Sequence, residues 1–204
     1  MWYRLKSTTS TFDAISWGEA GDIPVPVDFD RDGRADTAIF RHATGQWFTI
    51  LSQGHAFIIK SFGANGDIPI PADFDGDQIA DVAVFRPSNG TWYRTDSKNG
   101  GSYIIRQFGQ SGDVPLAGDF DADGRSDLAV WRPSDSNWYI QTIGGDFRVV
   151  NFGVPTDTPV PADYDGDGRT DVAVYRPSNG NWYRINSATS TFYAQSFGEA
   201  ADIP

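Results

Sequence analysis

The stretch Asp163-Tyr164-Asp165-Gly166-Asp167-Gly168-Arg169-Thr170-Asp171 decides how the rest of the sequence is read. Carboxylates stand at positions 1, 3, 5 and 9 of this loop, with glycine at 6. Odd spacing lets a tight loop turn its acids toward one point. Glycine at 6 supplies the positive φ of a sharp turn, and the carbonyl at position 7, Arg169, can face the same point. An all-oxygen cage of this kind suits a hard cation, Ca²⁺ above all. Without a cation the loop is unfavourable. Two carboxylates about 4 Å apart repel by roughly 4 kcal/mol at an effective dielectric of about 20, and four acids make several such pairs. A solitary copy could be no more than a solvated acidic turn.

The copy is not solitary. Asp28, Asp30, Asp32 and Asp36 repeat it, with Gly33 at position 6 and Arg34 at position 7. Asp73, Asp75, Asp77 and Asp81 repeat it again, with Gln78 in the glycine's place and Ile79 at position 7. Asp119, Asp121, Asp123 and Asp127 form the third copy, with Gly124 and Arg125. First acids are 45, 46 and 44 residues apart. Sixteen aspartates and four position-7 carbonyls are thus the candidate ligands of about four Ca²⁺ per chain. The loop of Gln78 should bind most weakly, because glutamine must bear a glycine-like conformation. Each loop begins like an EF-hand, but its last acid stands at 9 rather than 12. The residues directly after it, such as Val172-Ala173-Val174-Tyr175, favour a strand and not a helix.

A period of about 45 residues points to a propeller or solenoid. Each unit opens on Gly-Asp-Ile/Val-Pro or a variant, marked by Asp22, Asp67, Asp113, Asp157 and Asp202. A short strand leads into the acidic loop. A second strand comes after it, apolar on both faces and ending in Arg41, Arg86, Arg132 or Arg176; such a strand belongs inside a stack of sheets. A turn such as Pro87-Ser88-Asn89-Gly90 gives the hairpin signal. A third strand carries Trp47, Trp92, Trp138 or Trp182, and a fourth ends in Phe-Gly at Phe62, Phe108, Phe152 or Phe197. Four strands in such a unit make a propeller blade. The expected fold is therefore all-β: four complete antiparallel blades (22–66, 67–112, 113–156 and 157–201) after an N-terminal half-blade (1–21), in a single repeat domain 1–204. Residues 1–21 supply only a third and a fourth strand. Their two missing inner strands must come from a longer array or from another chain. The half-blade is expected to be ordered and buried along a sheet edge, through another chain rather than by closing its own ring.

Composition bounds the partners. The chain has 204 residues, 22 glycines, 12 prolines and a net charge of −11; four bound Ca²⁺ would bring that to −3. No basic stripe suggests nucleic acid. No apolar run is long enough to span a membrane, and no signal-peptide pattern opens the sequence. There is no cysteine. Low-affinity Ca²⁺ loops make most sense outside the cell or on its surface, where calcium is abundant.

Phe-Gly, a downstream proline and Asp-x-Asp-x-Asp-Gly-x-x-Asp, repeated in register, resemble the FG-GAP (VCBS-type) repeat along the whole chain. That family includes the integrin α-subunit propeller and calcium-bearing fungal lectins. The resemblance implies a β-propeller whose Ca²⁺ loops join the first two strands of each blade, with a role in extracellular adhesion or in binding a protein or glycan ligand. Gln78 departs from its pattern.

Other recurring residues have quieter explanations. The tryptophans should pack between blades, although sugar stacking is the sharper alternative. The strand-ending arginines should clamp the aspartates of the Gly-Asp-Ile/Val-Pro turns, within a blade or between blades, with a ligand-binding row of arginines as the alternative. Catalysis finds no constellation: His42, His55 and Trp131 break the repeat but form no recognisable set, so an enzyme is not expected. The half-blade ends offer a route to self-association, as a ring or a filament.

Overall fold

The computed structural model describes residues 1–5, 9–98, 100–199 and 202–204. Among them are 18 β-strands and no helix, so no helix is long and apolar enough to cross a membrane. The N-terminal hairpin pairs β1 (Trp2–Leu5) with β2 (Phe12–Ile15). Blade one contains β3 (Asp22–Pro24), β4 (Thr37–Arg41), β5 (Gln46–Ile50) and β6 (Phe57–Ser61). Blade two contains β7 (Ile68–Pro69), β8 (Ala83–Arg86), β9 (Thr91–Asp96) and β10 (Ser102–Gln107). Blade three contains β11 (Val114–Gly118), β12 (Asp127–Arg132), β13 (Asn137–Gln141) and β14 (Phe147–Asn151). Blade four contains β15 (Thr158–Pro159), β16 (Val172–Arg176), β17 (Asn181–Ile185) and β18 (Phe192–Ser196). Each blade is a four-stranded antiparallel meander, and together they form a β-propeller.

The doubly apolar second strand explains the stacking. Its side chains alternate between faces, so one set meets the preceding blade and the other meets the next one. Val82 and Val84 pack with Ala38, Phe40 and Trp47 of blade one. Leu128 and Val130 pack with Ala83, Phe85 and Trp92 of blade two. Val172 and Val174 pack with Ala129, Trp131 and Trp138 of blade three. The core is therefore three clusters, each straddling two blades.

The N-terminal hairpin is ordered, but it lies on a face rather than along an edge. Arg4 Nη1 donates to Thr37 Oγ1 of β4 at 3.0 Å. Trp17 meets Phe57 of β6 edge-on at 5.4 Å. On its other side Tyr3, Leu5 and Phe12 remain exposed. Two strands can cover only half of a four-stranded face, which is why this hairpin is less buried than any complete blade.

Candidate metal centre

Each acidic loop connects the first two strands of its blade, and two residues per loop take positive φ. At position 6 these are Gly33, Gln78, Gly124 and Gly168. At position 4 they are Arg31, Gly76, Ala122 and Gly166. The need at position 4 was not legible, because Arg31 and Ala122 carry no turn signal. Gln78 does adopt the glycine-like conformation, with φ of +70°, yet Arg31 at +64° and Ala122 at +65° carry the same kind of strain. Backbone strain therefore does not single out the second loop.

The position-1 carboxylate explains this conformation. Its two oxygens accept the N–H groups of positions 4 and 6: for Asp73, Gly76 N–H at 2.7 Å and Gln78 N–H at 2.7 Å. Asp28, Asp119 and Asp163 repeat the arrangement. Position 5 accepts the N–H of position 7, as Asp32 does from Arg34, Asp77 from Ile79, Asp123 from Arg125 and Asp167 from Arg169. Position 9 is the anchor. Asp36, Asp81, Asp127 and Asp171 are buried. One oxygen of each accepts the N–H of position 2, and the other accepts an N–H from the loop after the third strand: Ser52, Ser97, Ile143 and Ser187. Ser97 and Ser187 also donate their hydroxyls to Asp77 and Asp167, as Ser52 does to Asp32. These serines are functional neighbours that the motif does not contain. Their only sequence signal is their recurrence sixteen residues after the last acid.

Three carboxylates converge in every blade, with oxygens within 4.8 Å of one another. They are Asp28, Asp30 and Asp32; Asp73, Asp75 and Asp81; Asp119, Asp121 and Asp127; and Asp163, Asp165 and Asp167. The fourth acid of each loop lies outside the converging set: Asp36, Asp77, Asp123 and Asp171. Burial pushes the Asp81 and Asp127 carboxyls up to about 6, despite the backbone N–H groups that hold them. Asp36 is raised for the same reason. A buried oxygen of Asp75 has no hydrogen-bond partner. Excess negative charge, costly burial and an unpartnered carboxylate oxygen all fit a site for a cation. The loops are also linked to one another. The position-8 N–H of each donates to the position-1 carbonyl of the loop before it: Ala80 to Asp28, Ser126 to Asp73 and Thr170 to Asp119.

The arginine clamps form within blades, not between them. Arg41–Asp22, Arg86–Asp67, Arg132–Asp113 and Arg176–Asp157 are each bidentate, at 2.7–3.0 Å. For Asp22 and Arg41 the reason is register, since they are directly opposed on adjacent strands. Each guanidinium also lies over a ring of the third strand: Phe48, Tyr93, Tyr139 or Tyr183, at 4.2–4.5 Å. Trp47, Trp92 and Trp138 pack between blades, and all four tryptophans, Trp182 included, donate Nε1–H to the carbonyl of the Phe-Gly phenylalanine. Trp47, Trp92 and Trp138 are buried and present no ring to a sugar. Among the exposed rings, Phe57, Tyr103, Phe147 and Phe192 recur at one place on the outermost strands of the blades. Each meets an aromatic ring from the preceding unit: Trp17, Phe62, Phe108 or Phe152.

No curated protein sequence matches the chain. Among solved structures, an Agrocybe aegerita lectin that recognises non-reducing terminal N-acetylglucosamine superposes with a TM-score of 0.62 at 17% identity, over 95% of this chain and 60% of that one. Virginiamycin B lyase from Staphylococcus aureus gives 0.59 at 11% identity, over 96% and 62%. A Bacteroides caccae protein of unknown function gives 0.59 at 15%, over 93% and 66%. At these identities the likeness is one of fold, and the chain spans about three fifths of the lyase structure. The FG-GAP-like repeat matches residues 73–130 and 119–174, together half of the chain. With the loop and the Phe-Gly turn in register in every blade, the chain belongs to the FG-GAP-like repeat family.

Proposed function

We propose that the four loops hold Ca²⁺ and that the chain is a calcium-stabilised propeller working outside the cell as a binding, adhesion or structural module. The convergence of three carboxylates in every blade carries this proposal. Donors that are all oxygen favour a hard cation, and flexible loops rich in carboxylates favour Ca²⁺ over Mg²⁺. The three converging aspartates of each loop would hold it directly, with the fourth acid and the carbonyls of Arg34, Ile79, Arg125 and Arg169 as the further donors. A bound ion supplies the positive charge that offsets the crowded acids. The chain's own residues do the rest: position 9 ties the loop to the far end of its blade, and position 8 ties it to the preceding loop. Extracellular calcium suits such loops. No catalytic role is proposed, since His42 and His55 occur in blade one and do not recur.

Calorimetric titration of chelator-stripped protein tests the cation. The expected result is about four Ca²⁺ per chain with Mg²⁺ weaker, and a melting temperature that falls sharply in EGTA. At a ligand concentration about 100-fold above Kd, each site contributes about 2.7 kcal/mol. Absence of binding heat together with an unchanged melting curve rejects the proposal.

A second proposal is glycan binding, favoured by the exposed rings at the inter-blade junctions and by the lectin that shares the fold. Planar rings half open to water offer an apolar platform without filling the core. A glycan array should then give hits that Tyr103→Ala weakens several-fold; an array with no hits removes this reading and leaves the cation sites untouched.

A further inference from the structure

We infer, resting on the Ca²⁺ reading of the loops, that Arg94 holds down the cation affinity of the second loop, so that the first loop, which has no such charge behind it, fills before the second. In blades two, three and four an arginine lies over the ring at position 2 of the loop: Arg94 over Phe74 at 5.1 Å, Arg148 over Phe120 at 5.8 Å and Arg184 over Tyr164 at 5.2 Å. The three do not come from one strand. Arg94 and Arg184 stand on the third strand, opposite Ile104 and Tyr193, whereas Arg148 stands on the fourth, opposite Ile140. The same charge thus reaches the same place from either end of one cross-strand pair.

Blade one has Thr49 opposite Ile58 at that pair, and no guanidinium lies over Phe29 among the described residues. A cavity of about 210 Å³, lined in part by Phe29, Thr49, Ile58 and Lys60, is found there instead. Lys60 does not take the arginine's place. It donates to Thr95 Oγ1 of blade two at 2.9 Å, and the acid whose charge acts on it is Asp81 of the second loop. Arg4 reaches Thr37, next to Asp36, but Asp13 holds it at 2.8 and 3.1 Å. Arg31 and Arg34 belong to the first loop, yet both are exposed, where salt screens a charge.

Arg94 acts at short range. Its side chain is 12% exposed, and its Nη1 stands 3.9 Å from Asp81 Oδ2. Asp81 is one of the three converging carboxylates of the second loop. A fixed positive charge there offsets acids that repel one another when the loop is empty, and it repels an entering cation. Both effects weaken binding: one stabilises the empty loop, the other destabilises the filled one. Arg125 of the third loop also lies against Gly76, but it is exposed and 3.9 Å from Asp123. Blade two moderates its own arginine. Buried Asp96 lies 3.2 Å from Arg94 Nη1, where the corresponding partner of Arg184 is the neutral Asn186. Asp96 belongs to no acidic loop, and partial neutralisation of Arg94 is the role this geometry gives it.

A Ca²⁺ titration of the full chain, followed through the amide resonances of Gly33 and Gly76, reads the first two loops separately. Gly33 should respond at a Ca²⁺ concentration about tenfold below Gly76. Thr49→Arg, which places a guanidinium in the cavity beneath Phe29, should weaken the first loop about tenfold. Arg94→Met should tighten the second loop and Asp96→Asn should weaken it, each by about three- to tenfold. A packing defect would weaken the second loop in both variants, so the sign of the Arg94→Met shift separates charge from structure. Equal midpoints for Gly33 and Gly76, or a later response of Gly33, overturn the inference. So does an Arg94→Met or Thr49→Arg variant whose loop is unchanged or shifts the other way. If neither resonance moves at any Ca²⁺ concentration, the Ca²⁺ reading falls and the inference with it; resonances that move in the wrong order overturn the inference alone.

Discussion

Blades two and four are close copies that sit in different surroundings. Asp-Val-Ala-Val-Phe-Arg-Pro-Ser-Asn-Gly-Thr-Trp-Tyr-Arg at 81–94 becomes Asp-Val-Ala-Val-Tyr-Arg-Pro-Ser-Asn-Gly-Asn-Trp-Tyr-Arg at 171–184. Both tryptophans donate Nε1–H to a Phe-Gly carbonyl, at 2.8 and 2.7 Å. Yet Trp92 is 2% exposed and Trp182 is only partly buried. The difference comes from the adjacent blade: Leu128 and Val130 of blade three close over Trp92, and nothing among the described residues closes over Trp182 in the same way. A blade's sequence thus sets its own meander and clamp, while the burial of its tryptophan belongs to its neighbour. Stability in such an array is a sum of repeat terms and junction terms.

The sharpest way to break the comparison is to truncate both tryptophans. Trp92→Ala should cost about 3–5 kcal/mol, as for a buried aromatic removed from a packed core. Trp182→Ala should cost markedly less, because the lost hydrogen bond is common to both and only the covered area differs. Urea unfolding of the two variants gives the difference; equal losses would mean that the junction contributes little.

A smaller effect separates the two loops. Blade four has glycine at both left-handed positions, Gly166 and Gly168, whereas blade two has Gly76 and Gln78. Gly168→Gln should lower stability by about 1–2 kcal/mol, the cost of a side chain in that conformation. Gln78→Gly should recover less, because glycine also loosens the unfolded chain. Melting curves of both variants in excess Ca²⁺ and in EGTA would show whether strain or the cation governs each loop. Equal and null shifts would mean that φ at position 6 is immaterial.

The fold was legible because each unit writes the same residues at the same spacing. The acids, the doubly apolar second strand and the Asn-Gly turn together leave little choice but stacked four-stranded meanders. Less legible was anything carried by residues with no local signature. Arg31 and Ala122 take left-handed conformations because Asp28 and Asp119 call for their N–H groups, a demand that neither side chain advertises. Ser97 serves Asp77 from across the blade, twenty residues away. The Arg–Asp clamps could be paired from the sequence, but only strand register shows that each closes within one sheet. Exposed rings such as Tyr103 sit on outer strands, and no alternation distinguishes them from the buried tryptophans next door.

The bonds from loop to loop have a consequence for how such a chain can change over generations. Ala80 reaches Asp28, and Ser126 reaches Asp73, through main-chain atoms alone. A main-chain bond does not ask which residue supplies it. If a crossover between copies excised residues 67–112, Ser126 would come to stand before Asp28 in place of Ala80, and Leu128 and Val130 before Trp47 in place of Val82 and Val84. Partner types at the new junction would be unchanged. Gene duplication and loss can therefore alter the number of blades one at a time without redesigning a junction, and the shared residues of 2–24 and 182–204 are the kind of record that such events leave.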